Sequence, residues 1–272
     1  MSAGAPQGDA VASGQALPAG CSLDRFLGGR LGVYQPQAGY RAAVDAPLLA
    51  AAVPARGGDK LAELGCGVGT ASLCLLARLR ESGVAGVSVT GLELQSDLAD
   101  LARRNAAENG FQAAFRVMKG DLAKPPPLLA PHAFDGVFLN PPYRRADRGR
   151  PSPDPGRALA DREGDLGLAD WLRAALRLLK PKGRLTLIHS SERLGELLAG
   201  LEGRAGDVRV LPVFPGGGRP AKRILLTAIK DSRAPLVILP GLALHDGEGR
   251  YTPAAERILR DGAALPLGGD AR

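Results

Sequence analysis

The sequence predicts an α/β protein built on a doubly wound sheet. Three observations carry that reading. The short apolar strand Leu61 to Leu64 runs into Gly65-Cys66-Gly67-Val68-Gly69 and then a helix from about Thr70 to Arg80. Strand, glycine loop, helix is the order that opens a nucleotide-binding sheet. Strand and helix patterns then alternate as far as His189. A further apolar run, beginning at Phe134, stops at Asn140-Pro141-Pro142-Tyr143. Neither proline can donate to a ladder, and each disfavours a helical residue before it, so this strand ends stiffly at the carboxyl edge of the sheet.

Taken in order, residues 1–22 are rich in Ala, Gly, Ser and Pro and read as a flexible tail, without the basic start and apolar centre of a signal peptide. Residues 23–265 read as one domain. Its parts are an N-terminal hairpin and helix (23–55), a core sheet (56–232), and a C-terminal hairpin and helix (233–265). Asp45 leads the first helix, with Pro47 in its first turn. Tyr40, Arg41 and Asp45 stand just before the core, placed to close over a ligand.

Val87 to Leu94 is the second strand of the core, and its Glu93 lies 24 positions beyond Gly69. A carboxylate there can chelate two ribose hydroxyls. Ser96 is expected to cap the helix that follows and ends at Gly110. The third strand, Ala113 to Met118, leads into Gly120-Asp121-Leu122, where Asp121 can accept from an adenine amino group. Leu166 to Leu179 is an amphipathic helix whose Trp171 reads as core, and the strand Arg184 to His189 follows it, with His189 at its end either near the site or, as the preferred reading, a capped structural residue. Strands Val208 to Phe214 and Arg223 to Ile229, joined by a glycine-rich loop, suggest an antiparallel last strand. In the tail, Leu236 to Leu239 and Leu242 to His245 read as a hairpin, with a helix after Thr252-Pro253.

The chemistry suited to Asn140-Pro141-Pro142-Tyr143 is capture of a planar amine or amide. Asn140 offers a side-chain carbonyl, and the Pro141 carbonyl is locked by Pro142. Two acceptors converging on one –NH₂ draw its protons and free its lone pair, while Tyr143 supplies a flat face for stacking.

Charge narrows the partner. A net +7 favours a polyanion. Arg144, Arg145, Arg148 and Arg150 follow Tyr143 in a long proline-rich loop, and Lys222 and Arg223 add positive charge further on. Arginine forks fit phosphate, so these residues are expected to contact a nucleic-acid backbone. Three cysteines without a CxxC pair and three scattered histidines argue against a disulfide frame or a metal site, and point to a reducing, cytoplasmic setting. No apolar run approaches 18 residues, so nothing is expected to span a membrane.

The ordered set comprises the GxGxG loop, the acid after strand two, Gly-Asp after strand three and Asn-Pro-Pro-Tyr after strand four. Upstream stand Leu27-Gly28-Gly29-Arg30, Gln35-Pro36, Gly39-Tyr40-Arg41 and Asp45-Ala46-Pro47-Leu48-Leu49. Together they resemble the class I S-adenosylmethionine-dependent methyltransferases of the "methyltransferase small" family, in particular bacterial tRNA-valine adenine N6-methyltransferases. The resemblance implies a Rossmann-like, seven-stranded, mostly parallel sheet with an antiparallel last strand. It implies S-adenosyl-L-methionine as cofactor and the exocyclic N6 amine of an RNA adenine, tRNA foremost, as acceptor. Carried over residue by residue, Glu63, Gly65, Gly67 and Gly69 would line the methionine and ribose. Glu93 would hold the ribose and Asp121 with Leu122 the adenine, with Leu94, Tyr40, Asp45 and Asn140 completing the cofactor set. Asn140, Pro141, Pro142 and Tyr143 would hold the target amine. Glu63 departs from the Asp of many relatives. Three alternatives stay open: a release-factor glutamine N-methyltransferase, an rRNA guanine-N2 methyltransferase, and a non-catalytic RNA-binding module that keeps the fold.

Overall fold

A computed structural model describes residues 17–38, 41–143 and 166–268. The expectations for residues 1–16, for Tyr40, and for Arg144, Arg145, Arg148 and Arg150 lie outside the described residues. Strands β1 (Cys21–Phe26) and β2 (Leu31–Pro36) form an antiparallel hairpin that begins two residues earlier than the sequence suggested. Then follow α1 (Asp45–Ala52), β3 (Lys60–Leu64), α2 (Thr70–Glu81), β4 (Ser88–Glu93), α3 (Ser96–Glu108), β5 (Phe115–Lys119) and β6 (Phe134–Leu139). The second half holds α4 (Leu168–Leu178), β7 (Leu179–Ser190), α5 (Leu194–Leu201), β8 (Ala205–Phe214), β9 (Arg223–Lys230), β10 (Val237–Ile238), β11 (Leu242–Ala243) and α6 (Pro253–Leu259).

The body of the sheet runs in the order β5-β4-β3-β6-β7-β9-β8. Strands β3 to β7 are parallel, and β9 is antiparallel to both β7 and β8. The chain leaves β3 toward one edge through β4 and β5, then returns to β6 on the other side. That reversal opens a crevice at the carboxyl ends of β3 and β6, the position where such sheets bind ligands. Side chains alternate across the sheet between two apolar clusters. Phe138 joins the cluster of the hairpin, α1, α2, α3 and α6, whereas Val137 and Leu139 join that of α4 and α5.

The C-terminal hairpin expected from the sequence does not form. β10 and β11 both pair with β8, and both run parallel to it: Val237 lies opposite Arg209 and Leu242 opposite Val213. They lie end to end along one edge, separated at Pro240-Gly241, and counted separately they bring the sheet to nine strands. Two caps also differ. Ser96 is the first helical residue of α3, after Gln95, and makes no capping bond. Asp45 likewise lies inside α1, after Val44, and its carboxylate is used elsewhere. Thr252 does cap α6, accepting from the Ala255 N–H at 3.2 Å.

The outer edge of the hairpin is sealed by two asparagines one helical turn apart, Asn105 on α3 and Asn109 just past its end. Asn105 is fully buried; its Oδ1 accepts from the Tyr34 N–H at 2.8 Å, and its Nδ2 donates to the Tyr34 carbonyl at 3.0 Å. Asn109 does the same for Gly32, at 3.2 and 2.7 Å. Gly32 and Tyr34 are two residues apart on one strand, so the pair of amides replaces a neighbouring strand. Asn105 Nδ2 also donates to the Val68 carbonyl at 3.0 Å, which ties the hairpin to the glycine loop.

Candidate active site

The loop after β3 is held by its own backbone. Gly65 and Cys66 N–H both reach the Leu92 carbonyl, at 2.8 and 3.0 Å, and the Gly69 N–H reaches Cys66 at 2.8 Å. Gly65, Gly67 and Gly69 all have positive φ, at 68°, 53° and 85°. At Gly69 a Cβ would also lie 2.6 Å from the Phe115 ring, and at Gly65 one would lie 2.9 Å from Trp171, so larger residues fail twice there. Trp171, read from the sequence as core, is the half-buried wall behind Gly65.

Glu93 ends β4 beside this loop. Its two oxygens accept separately from the Gly67 N–H at 2.9 Å and the Gln95 N–H at 2.8 Å, so the carboxylate is fixed in orientation. Burial raises its pKa, and those N–H bonds act against the rise. Glu63 is placed differently. It lies beneath the loop and accepts from the N–H and the hydroxyl of Ser72 in the first turn of α2. Burial pushes its carboxyl up to about 8, against the pull of the Ser72 bonds. Leu94, next to Glu93, is 55% exposed, although the strand it follows is buried. Asp121 is exposed after β5, its Oδ1 accepting from the Ala123 N–H at 2.8 Å, and Leu122 is half-buried.

Asn140 and Tyr143 are half-buried at the end of β6, on the same sheet edge, and Pro141 is buried. The Tyr143 hydroxyl donates to Asp45 Oδ2 at 2.9 Å. Asp45 Oδ1 forms an ion pair with Arg223 at the start of β9. His189, near the end of β7, is fully buried and packs on the Tyr143 ring at 4.8 Å between centroids, tilted by 40°. This contact puts His189 beside the segment that ends β6. No capping bond holds the imidazole: neither ring nitrogen reaches hydrogen-bond geometry among the described residues. Burial, then the nearby Arg193 charge, lowers its pKa to about 4, although the Ser190 and Pro142 main chain favours the proton.

One crevice edge therefore gathers the glycine loop, Glu93, Leu94, Asp121, Leu122 and the Asn140–Tyr143 segment. Lys222 lies exposed beside Arg223, which engages Asp45. Among the described residues no group of His, Cys, Asp and Glu could hold a metal ion, and no helix is long and apolar enough to cross a membrane. The donor set fits an adenosyl cofactor: a fixed carboxylate for ribose hydroxyls, and an exposed leucine at the sheet edge for a flat base.

A family model described as Methyltransferase domain matches residues 56–205, and the chain belongs to this family. It is a class I methyltransferase, an enzyme that uses S-adenosylmethionine. Its relatives are more particular. It is 27% identical over 231 residues to a tRNA1(Val) (adenine(37)-N6)-methyltransferase from Tolumonas auensis, covering 80% of this chain and 88% of that protein. It is 30% identical over 210 residues to the protein of the same description from Porphyromonas gingivalis, covering 72% and 76%. Among solved structures, one described as a predicted O-methyltransferase from Agrobacterium tumefaciens superposes with a TM-score of 0.67 at 29% identity, covering 82% of this chain and 98% of that one. The tRNA (m1A58) methyltransferase of Aquifex aeolicus shares the fold, at a TM-score of 0.51 and 13% identity, covering 73% of this chain and 72% of that one.

Proposed function

We propose that the chain transfers a methyl group to the N6 amine of an adenine in RNA, with a tRNA as the substrate. The observation that carries this reading is the Asn140-Pro141-Pro142-Tyr143 segment at the carboxyl end of β6, on the same edge as Glu93 and the glycine loop. Paired carbonyl acceptors suit an –NH₂, which has two protons to give; a hydroxyl acceptor has one. The relatives described as adenine-N6 methyltransferases of a tRNA support the acceptor class, and the net charge of +7 supports a polyanion.

S-adenosylmethionine, when bound, supplies an electrophilic methyl group. Gly65, Gly67, Gly69, Glu93, Leu94, Asp121 and Leu122 would hold it. Asn140 and the Pro141 carbonyl orient the amine, and Tyr143 stacks on the base. Alignment and exclusion of water then provide most of the rate; the methylated nitrogen is acidic and loses its proton to solvent after the transfer, so no side chain is required as a base. A paired or stacked adenine has to be extracted first, which costs least in a loop. The reading adds a cytoplasmic setting, where tRNA is found.

The test is incubation with methyl-labelled S-adenosylmethionine and, separately, unmodified tRNA, rRNA and release factor, followed by digestion. N6-methyladenosine from tRNA is the expected product. Label in release factor alone, on guanine N2, or on a hydroxyl overturns the reading.

A further inference from the structure

Asp45 sits on α1, outside the segment that holds the target, yet its carboxylate receives the Tyr143 hydroxyl. We propose that Asp45 is a positioning residue for the acceptor: it fixes the Tyr143 ring in the attitude that receives the target base. The proposal rests on the acceptor reading above. It also moves Asp45 out of the cofactor set and Arg223 out of the phosphate-binding set.

The ring is held at three places. Pro141 and Pro142 stiffen the backbone that leads to it. The His189 imidazole packs against it, with the ring centroids 4.8 Å apart. Rotation about χ1 would still swing the ring out of place. The hydroxyl bond to Asp45 anchors the far end of the ring against that swing, while packing on His189 limits rotation of the ring plane.

Asp45 is itself held. Its side chain is 15% exposed, and a carboxylate so buried is costly unless it is paired. Arg223 supplies the pair, and its own place is set by register, because Arg223 lies opposite Ser190 in the antiparallel β7–β9 ladder. His189 is the residue before Ser190. The same ladder therefore delivers both the imidazole behind the ring and the guanidinium behind the carboxylate. Asp45 also lies in the first turn of α1, where a negative charge is favoured.

Binding energy spent on holding the ring is not needed again when the base arrives, so its loss falls on the acceptor side. The experiment compares full-length wild type with Asp45→Ala, Asp45→Asn, Tyr143→Phe and the double variant Asp45→Ala/Tyr143→Phe. It measures kcat and KM for the methylated RNA, and the Kd of S-adenosylmethionine by calorimetry. Asp45→Ala and Tyr143→Phe are each expected to lower kcat/KM for RNA about tenfold, with cofactor Kd within twofold of wild type. The double variant is expected to be no worse than either single one, because both remove the same bond. Asp45→Asn keeps an acceptor oxygen and is expected to recover most of the loss.

Asp45→Ala that weakens cofactor binding in step with activity, or whose effect multiplies with that of Tyr143→Phe, overturns the proposal. So does a Tyr143→Phe enzyme with wild-type kinetics. The two levels fail separately: a wild-type enzyme that methylates no RNA overturns the acceptor reading, whereas RNA methylation untouched by Asp45→Ala overturns the role of Asp45 alone.

Discussion

Replacing Asn105 with Leu keeps the side chain near its volume and removes every bond it makes. Three backbone groups then lose their partner: the Tyr34 N–H, the Tyr34 carbonyl and the Val68 carbonyl. The site is fully buried, so water does not take Asn105's place. An orphaned buried N–H costs about 1–3 kcal/mol, and each lost carbonyl bond roughly 1 kcal/mol. The sum is about 3–5 kcal/mol, a large part of the roughly 5–15 kcal/mol that holds a typical protein folded. For a chain of this size that lowers Tm by roughly 6–20 °C. The assay is thermal unfolding followed by fluorescence, for which Trp171 is the sole tryptophan and stands behind Gly65. Because Val68 belongs to the glycine loop, cofactor Kd is expected to rise several-fold as well. A Tm within about 2 °C of wild type, in the range of an ordinary surface substitution, would refute the claim that these amides hold the hairpin.

Three further outcomes are expected. Asn140→Ala abolishes turnover and leaves cofactor affinity within a few-fold; equal loss of both would show that Asn140 does not hold the target. Glu93→Ala leaves the Gly67 and Gln95 N–H groups without their acceptor and removes the ribose partner, so cofactor Kd rises at least tenfold by calorimetry. His189 carries a pH signature. Its folded pKa of about 4 lies below the ordinary 6.5, so the unfolded chain takes up a proton that the folded one refuses between those values. Stability is whole above pH 6.5 and falls toward pH 4, by about 3 kcal/mol in all. Urea unfolding of wild type and His189→Gln is expected to diverge by that amount across the window, and parallel curves would remove His189 as the cause.

Much of the fold was legible because it is written in local pattern. A glycine triplet between an apolar strand and a helix has few other uses, and prolines after an apolar run end a strand unambiguously. The place of Glu93, at the end of the second core strand, was legible in the strand pattern. Pairing partners are not local, and there the reading failed. Val237-Ile238 and Leu242-Ala243 look like two arms of a hairpin because a Pro-Gly pair lies between them. Each instead found β8, whose edge was open. Asp45 and Ser96 look like caps because both residue types cap helices, yet Asp45 had better partners in Tyr143 and Arg223. Asn105 and Asn109 carry a fainter signal: two amides one turn apart, the first on α3 among the alanines of its apolar face and the second just past its end. Nothing local showed that His189 would meet Tyr143, since that contact depends on the order of β6 and β7 in the sheet.

The broken edge strand has a consequence for how this protein behaves in a crowded solution. Leu236, Val237 and Ile238 are exposed along the outermost strand, with Ile238 at 66%. An open, aliphatic sheet edge invites another chain to add itself. Here the invitation is short. Pro235 and Pro240 bracket β10, and neither has an N–H to offer a newcomer. At Gly241 the chain is pressed so close to the Phe214 ring that a Cβ would lie 2.1 Å away, which keeps the second half of the edge turned in against β8. The residues that made this stretch look like a hairpin thus act as gatekeepers against self-association, and a variant that smoothed them into a regular strand would be the one to watch for precipitation.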